Sequence, residues 1–255
     1  MSALLEVCCG SLESVEAAVR GGARRIELCS ALEVDGLTPS PEDVQTVRER
    51  YPDLIVHVLI RLREGDFCYT PEEVDRMADQ VEAALEAGAH GVVIGCLTPK
   101  GEVDMEAMET LVSRVEDFDL ARELVASDRC HAANDGHFFP AASRHTSITF
   151  HRAFDRCRRP MDALEDIISL GCDRLLTSGQ APAAVEGTDL LRKLVESAGD
   201  DLIIMPGGGV RPGNARRILL QTGAREIHSS ASETVDGVKV TSAVTVAAIL
   251  EELAG

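Results

Sequence analysis

Short apolar runs alternate with amphipathic stretches along the whole chain, and several of the runs are introduced in the same way. A glycine, two or three small or polar residues and then an apolar segment recur as Gly22-Ala23-Arg24-Arg25-Ile26-Glu27-Leu28 and Gly88-Ala89-His90-Gly91-Val92-Val93-Ile94. The pattern returns as Gly171-Cys172-Asp173-Arg174-Leu175-Leu176-Thr177 and Gly223-Ala224-Arg225-Glu226-Ile227-His228. Each glycine closes a helical pattern, as a residue in the left-handed region just past a helix end would. Each run that follows is short, rich in branched aliphatics and ends in polar residues, the signature of a buried parallel strand. Further strands are expected at residues 4–8, 54–61, 147–153 and 202–206. Ser40-Pro41-Glu42-Asp43 and Thr70-Pro71-Glu72-Glu73 supply an N-cap, a proline at the first helical position and an acid at the third. Strands alternating with helices in apparently duplicated units predict a single-domain (β/α)8 TIM barrel over residues 1–255, a length usual for that fold. An open dinucleotide-binding sheet would need a glycine-rich turn straight after the first strand, where this chain has Cys8-Cys9-Gly10-Ser11.

Composition agrees with a barrel core filled by aliphatics, with 45% hydrophobic residues and only 3% aromatic ones. A formal charge of −18 argues against nucleic acid or an anionic membrane surface as a main partner. It does not argue against a small anionic ligand, because a pocket can differ in sign from the surface around it. No apolar stretch has the length of a membrane span, and Met1-Ser2-Ala3 runs directly into the first strand without a signal-peptide pattern. The expectation is a cytoplasmic protein whose eight cysteines are thiols. No CxxC pair occurs, so a structural zinc site is not expected. Residues 117–146 break the period as an insertion before the fifth strand. They hold Cys130, His131, His137 and His145 at spacings that match no standard metal site, so an elongated helix and a loop on the far side of the barrel are expected.

Barrel chemistry sits at the C-terminal ends of the strands, so the residues placed there are the candidates. The first strand offers Glu6 and Cys8, and the second repeats the spacing as Glu27 and Cys29. By the period of two, all four lie on one side of the sheet. Buried carboxylates need partners, and Arg61, Arg63, His151 and Arg152 are those expected. Glu6, Glu27, Arg61, His151 and Arg152 are therefore read as one pocket fit for acid–base or anion chemistry, the alternative being a salt-bridge network that fills the barrel. Met205-Pro206-Gly207-Gly208-Gly209 after the seventh strand and His228-Ser229-Ser230-Ala231 after the eighth resemble the phosphate site of many barrels. Bare amides of Gly207, Gly208 and Gly209 with the hydroxyls of Ser229 and Ser230 would supply the donors; the alternative is a tight turn. No strand ends in lysine, which disfavours Schiff-base chemistry. Cys8, Cys9, Cys29, Cys68, Cys96 and Cys157 all fall at strand ends or just beyond, and soft sulfur ligands suit copper(I).

The segments Glu6-Val7-Cys8, Arg25-Ile26-Glu27-Leu28-Cys29, Gly36-Leu37-Thr38-Pro39-Ser40 and Gly65-Asp66-Phe67 resemble the CutC copper-homeostasis family. So do Thr149-Phe150-His151-Arg152-Ala153-Phe154-Asp155, Leu176-Thr177-Ser178-Gly179 and His228-Ser229-Ser230-Ala231. The resemblance implies a cytosolic barrel, often oligomeric, that handles copper, with copper(I) at two strand-end cysteines corresponding to Cys8 and Cys29. Leu62 stands where the family usually has proline, the 117–146 insertion is larger than the family leads one to expect, and the stretch after Ala231 is shorter. Other readings are a barrel enzyme acting on a small anionic or phosphorylated substrate, and a non-catalytic ligand-sensing barrel.

Overall fold

The structure, a computed structural model, describes residues 3–132, 145–235 and 238–254. The barrel strands are β1 (Leu4–Cys9), β2 (Arg25–Leu28), β3 (Ile55–Leu59), β4 (Gly91–Ile94), β5 (Ser147–Phe150), β6 (Arg174–Thr177), β7 (Ile203–Pro206) and β8 (Glu226–Ser229). They alternate with α1 (Leu12–Arg20), α2 (Pro41–Arg50), α3 (Pro71–Glu86), α4 (Met105–Ala132), α5 (Pro160–Ser169), α6 (Thr188–Ala198), α7 (Ala215–Thr222) and α8 (Ala243–Ala254). Parallel pairing runs β7-β6-β5-β4-β3-β2-β1-β8. β7 and β8 lie side by side at the one join without a ladder among the described residues, so the (β/α)8 barrel is nearly closed. Among the described residues no helix is long and apolar enough to cross a membrane.

Repeated helix ends set this alternation. Gly22, Gly88, Gly171 and Gly223 all take positive φ, between 72° and 100°. After α1 and α3 the next amide returns to the helix, Ala23 to the Ala18 carbonyl at 3.0 Å and Ala89 to the Ala84 carbonyl at 3.1 Å. That is the Schellman closure, which turns the chain directly into the next strand. At the other ends, Ser40 and Thr70 cap α2 and α3 through their hydroxyls, with proline at the first helical position in both.

Alternation along each strand separates two interiors. Val7, Ile26, Val56, Val92, Phe150, Leu175, Ile204 and Ile227 face outward and pack with the helices into one apolar core. The lumen is different. Cys8, Cys29, Leu59 and Val93 form a small separate apolar cluster, and the lumen also holds the buried side chains of Glu6, Arg25, Glu27, His57, Glu226 and His228.

Two strands are shorter than expected, because β3 stops at Leu59 and β5 at Phe150. Past β5, His151 accepts the Ala153 amide at Nδ1 and caps a 3-10 turn, Arg152–Arg156, which ends the ladder. The 117–146 insertion is in part the extension of α4 to Ala132. Asp119 on that helix accepts both the amide and the hydroxyl of Thr146, at 2.8 and 2.6 Å, and so ties it to the entry of β5. His137 and the loop expected beyond α4 lie outside the described residues, as do the side chains of Cys130 and His131. After β8 the chain forms a hairpin, β9 (Ser232–Val235) with β10 (Val238–Thr241), which was not expected from the sequence.

Candidate functional site

Glu6 and Glu27 both point into the barrel, 0% and 5% exposed. Their partners are not the ones expected. Glu6 lies 2.8 Å from Arg25 Nε and 3.1 Å from His57 Nδ1 through Oε2, close contacts whose N–H bonds are poorly aimed. Its Oε1 is 2.9 Å from His228 Nδ1 in a well-formed hydrogen bond. Arg25 also reaches Glu226, which Arg174 Nε holds at 2.8 Å. His228 Nε2 stands 3.6 Å from Glu27 Oε2. A network of ion pairs and imidazole contacts thus crosses the lumen from β1 to β2, β3, β6 and β8. All of these residues share the inward parity of Glu6 and Glu27, which is the signal that would have found them: Arg25 is two residues before Glu27, and His228 two after Glu226.

Burial works against the charge on Glu6, yet the His228 and His57 contacts and the Arg25 charge hold its carboxyl well below the usual range. Burial likewise disfavours a charged His228, but Cys8, Glu6 and Glu27 outweigh it and raise the ring well above its ordinary value. Glu27 is pushed up, chiefly by burial and further by Glu6, against the pull of His228. The lumen therefore carries Glu6 as carboxylate and His228 as imidazolium, side by side and shielded from water.

Just above, Cys8 and Cys29 bring their sulfurs to 3.7 Å. The hydrogen bond between them, then burial, then the Glu27 charge raise the Cys8 thiol well above its ordinary value. Cys8 Sγ, a Glu27 oxygen and a His228 nitrogen also lie within 4.8 Å of one another, a potential metal-ligand set. Other strand-end thiols are placed differently: Cys9, Cys96 and Cys157 belong to the helix-facing core and Cys68 only packs against it.

Arg61, His151 and Arg152 do not join Glu6 and Glu27 in one contact set. Arg61 donates to the carbonyls of Val34 and Gly36, at 2.8 and 3.0 Å, and its guanidinium lies over the Phe67 ring. His151 also packs on Phe67, with ring centroids 4.9 Å apart. Burial, with the Arg61 charge, lowers His151 to about 3, so the ring is neutral. Arg63, also expected to serve the carboxylates, instead pairs with Glu73 at 2.7 Å and with Asp66 at 3.0 Å.

Arg152 bonds Asp155 at 2.8 Å and Ser178 at 3.2 Å. Asp155 gathers far more than that: it accepts the Ser178 hydroxyl at 3.0 Å, the amides of Ser178 and Gln180, and the Thr177 hydroxyl. It is the clamp that joins the β5 and β6 loops, and it fixes where Arg152 can point.

The glycine and serine candidates divide. Gly207 spends its amide on the Thr177 carbonyl at 2.9 Å, continuing the sheet. Ser229 has outward parity, donates to the Val210 carbonyl at 2.8 Å and accepts the Ala231 amide at 2.9 Å. Neither has a donor to spare, which corrects the sequence expectation for both. Gly208 and Gly209 remain at the rim with positive φ, Ser230 Oγ lies 3.3 Å from Arg211, and Arg152 lies against Gly208.

This geometry has known relatives. A model of the CutC family matches residues 3–135 and 137–233. A CutC family protein of Chromobacterium violaceum is 45% identical over 231 residues, covering 91% of this chain and 82% of that one. Another, from Parabacteroides distasonis, is 40% identical over 235 residues, 92% of this chain and 85% of that one. The crystal structure of a CutC protein of Streptococcus agalactiae, named for copper homeostasis, superposes with a TM-score of 0.75 at 26% identity, covering 89% of this chain and 98% of that one. A 3-keto-L-gulonate-6-phosphate decarboxylase of Vibrio cholerae shares the fold alone, with a TM-score of 0.60 at 12% identity over 100% of this chain and 98% of that one. From the first strand to the hairpin after the eighth, this chain belongs to the CutC family.

Proposed function

We propose that the protein takes part in copper homeostasis by binding copper(I) as cargo through Cys8 and Cys29. One observation carries the reading: of the strand-end thiols, these two face the lumen together, 3.7 Å apart. Soft sulfur donors suit copper(I). With metal–sulfur bonds of about 2.3 Å, as thiolates make to zinc, sulfurs this close hold an ion off the line between them. The side on which Cys8 meets Glu27 and His228 offers a third donor. Binding displaces the Cys8 proton, since a coordinated thiol is deprotonated. A reducing, cytosolic setting is the compartment this reading requires.

Titration of the reduced protein with copper(I) against a competing chelator tests it. One tight equivalent is expected for the native chain and for Cys9→Ala, whose sulfur faces the helices. Its loss is expected in Cys8→Ser with Cys29→Ser. Unchanged stoichiometry and affinity in that double variant refute the proposal.

A further inference from the structure

We infer a second ligand site, distinct from the sulfur pair, that takes the phosphate of a small phosphate monoester at the rim formed by the β7 and β8 loops. Beyond the spent Gly207 amide, the next two amides, of Gly208 and Gly209, have no hydrogen bond among the described residues. Both residues take positive φ, 96° and 70°, a conformation that favours glycine, and neither carries a side chain to block close approach.

Two arginines contact these loops, Arg152 at Gly208 and Arg211 at Val210, Ser230 and Ser232. A Cβ built on Gly208 would sit 3.3 Å from the Arg152 guanidinium, so that group lies directly on the turn. Arg152 uses Nε on Asp155 and Nη2 on Ser178, which leaves Nη1 without a partner among the described residues. Arg211 bridges the two loops, donating to the Val210 carbonyl and to the hydroxyls of Ser230 and Ser232, at 3.2–3.3 Å. Among the described residues no carboxylate neutralises it, in a chain with 43 acidic and 25 basic residues. Free amides, an arginine fixed in place by its own clamp and an arginine without a counter-charge are the chemistry of phosphate recognition.

A second observation concerns the loops after β3 and β5. His151 and Arg61, each 5% exposed, leave one polar atom apiece buried without a partner, Nε2 and Nε. Because His151 Nδ1 accepts the Ala153 amide in a neutral ring, Nε2 carries the hydrogen. Both orphaned atoms are donors, and buried donors are normally matched. They are the groups available to the oxygens of an ester's organic part, while the β7 and β8 loops hold its phosphate.

Amide-resolved NMR of the full chain distinguishes the possibilities, with inorganic phosphate and glycerol 3-phosphate as probes. The Gly208 and Gly209 resonances should move saturably with both probes, and Arg211→Gln or Arg152→Gln should weaken binding about ten-fold or more. The ester should in addition perturb His151, and Cys8→Ser with Cys29→Ser should bind as the native chain does, which keeps this result separate from that of copper. If both probes bind equally and His151 is silent, the site is one for inorganic phosphate and the ester assignment is overturned. Absence of saturable shifts, or shifts unchanged in both well-folded arginine variants, overturns the site itself.

Discussion

Replacing Arg25 with methionine tests whether the lumen is held by its charges. The side chain keeps an unbranched apolar stem, is shorter by the guanidinium, and loses its contacts with Glu6 and Glu226, in a position only 2% exposed. Removing one partner of a buried ion pair typically costs about 3–5 kcal/mol, because the charge left behind is desolvated and unmatched. The lower end is expected, since Glu6 keeps His57 and His228 and Glu226 keeps Arg174. A loss of about 3 kcal/mol is a large share of a typical stability of about 5–15 kcal/mol.

The loss should also depend on pH in a definite sense. Glu6 and Glu226 are held below the ordinary carboxyl value of 4.5, so what they contribute is present above that value and is lost as pH falls through their folded values. Without Arg25 those values move up and the loss begins at higher pH. Native and variant proteins should therefore differ most near neutrality, and the difference should shrink as pH falls through the variant's folded carboxyl values and vanish only below those of the native chain. Urea denaturation across that range measures both quantities. A deficit under about 1 kcal/mol at neutral pH, or one that does not shrink on acidification, would refute the account of the lumen as a charge network.

Two further outcomes follow from the same geometry. Because the Cys8 thiol is raised by Cys29, burial and Glu27, copper(I) must displace a proton from it. Apparent affinity should then climb about ten-fold per pH unit for each proton displaced, measured by chelator competition between about pH 6 and 8; a flat profile removes Cys8 from the ligand set. Asp155→Ala should cost at least the about 1.5–3 kcal/mol of one hydrogen bond to a charged group. It should also broaden the amide signals of Ser178 and Gln180, and sharp, unshifted signals there would show that Asp155 does not clamp the loops.

Most of the barrel was legible because its grammar is local. The four glycines mark helix ends by their backbone conformation, and the cap residues mark helix starts, so strand order followed without any long-range information. Part of the lumen was legible for the same reason. The period of two put Glu6, Cys8, Glu27 and Cys29 on one face, and the structure points all four into the barrel. The same parity, carried through every strand, also selects Arg25, His57, Arg174, Glu226 and His228, and it sends Ser229 outward; the partners expected for the carboxylates, Arg61, Arg63, His151 and Arg152, lie instead beyond β3 and β5, which end at Leu59 and Phe150. The missed hairpin had its own signal in Asp236-Gly237 between two short β-branched runs.

Loop geometry was the part that no local rule supplied. Which of three successive glycines continues the sheet depends on where the Thr177 carbonyl lies, and the position of Arg152 depends on how Asp155 gathers the β6 loop. The two kinds of information meet at Cys8. Its inward parity is written in the sequence, but its protonation is set by what the fold brings around it: the Cys29 sulfur above the lumen floor, the Glu27 carboxyl beneath, and an imidazolium on His228 that Glu6 holds in place. The polar floor that departs from an aliphatic barrel therefore also sets the electrostatics of the sulfur pair, so a change there, such as His228→Asn, is expected to shift the Cys8 thiol without altering either cysteine.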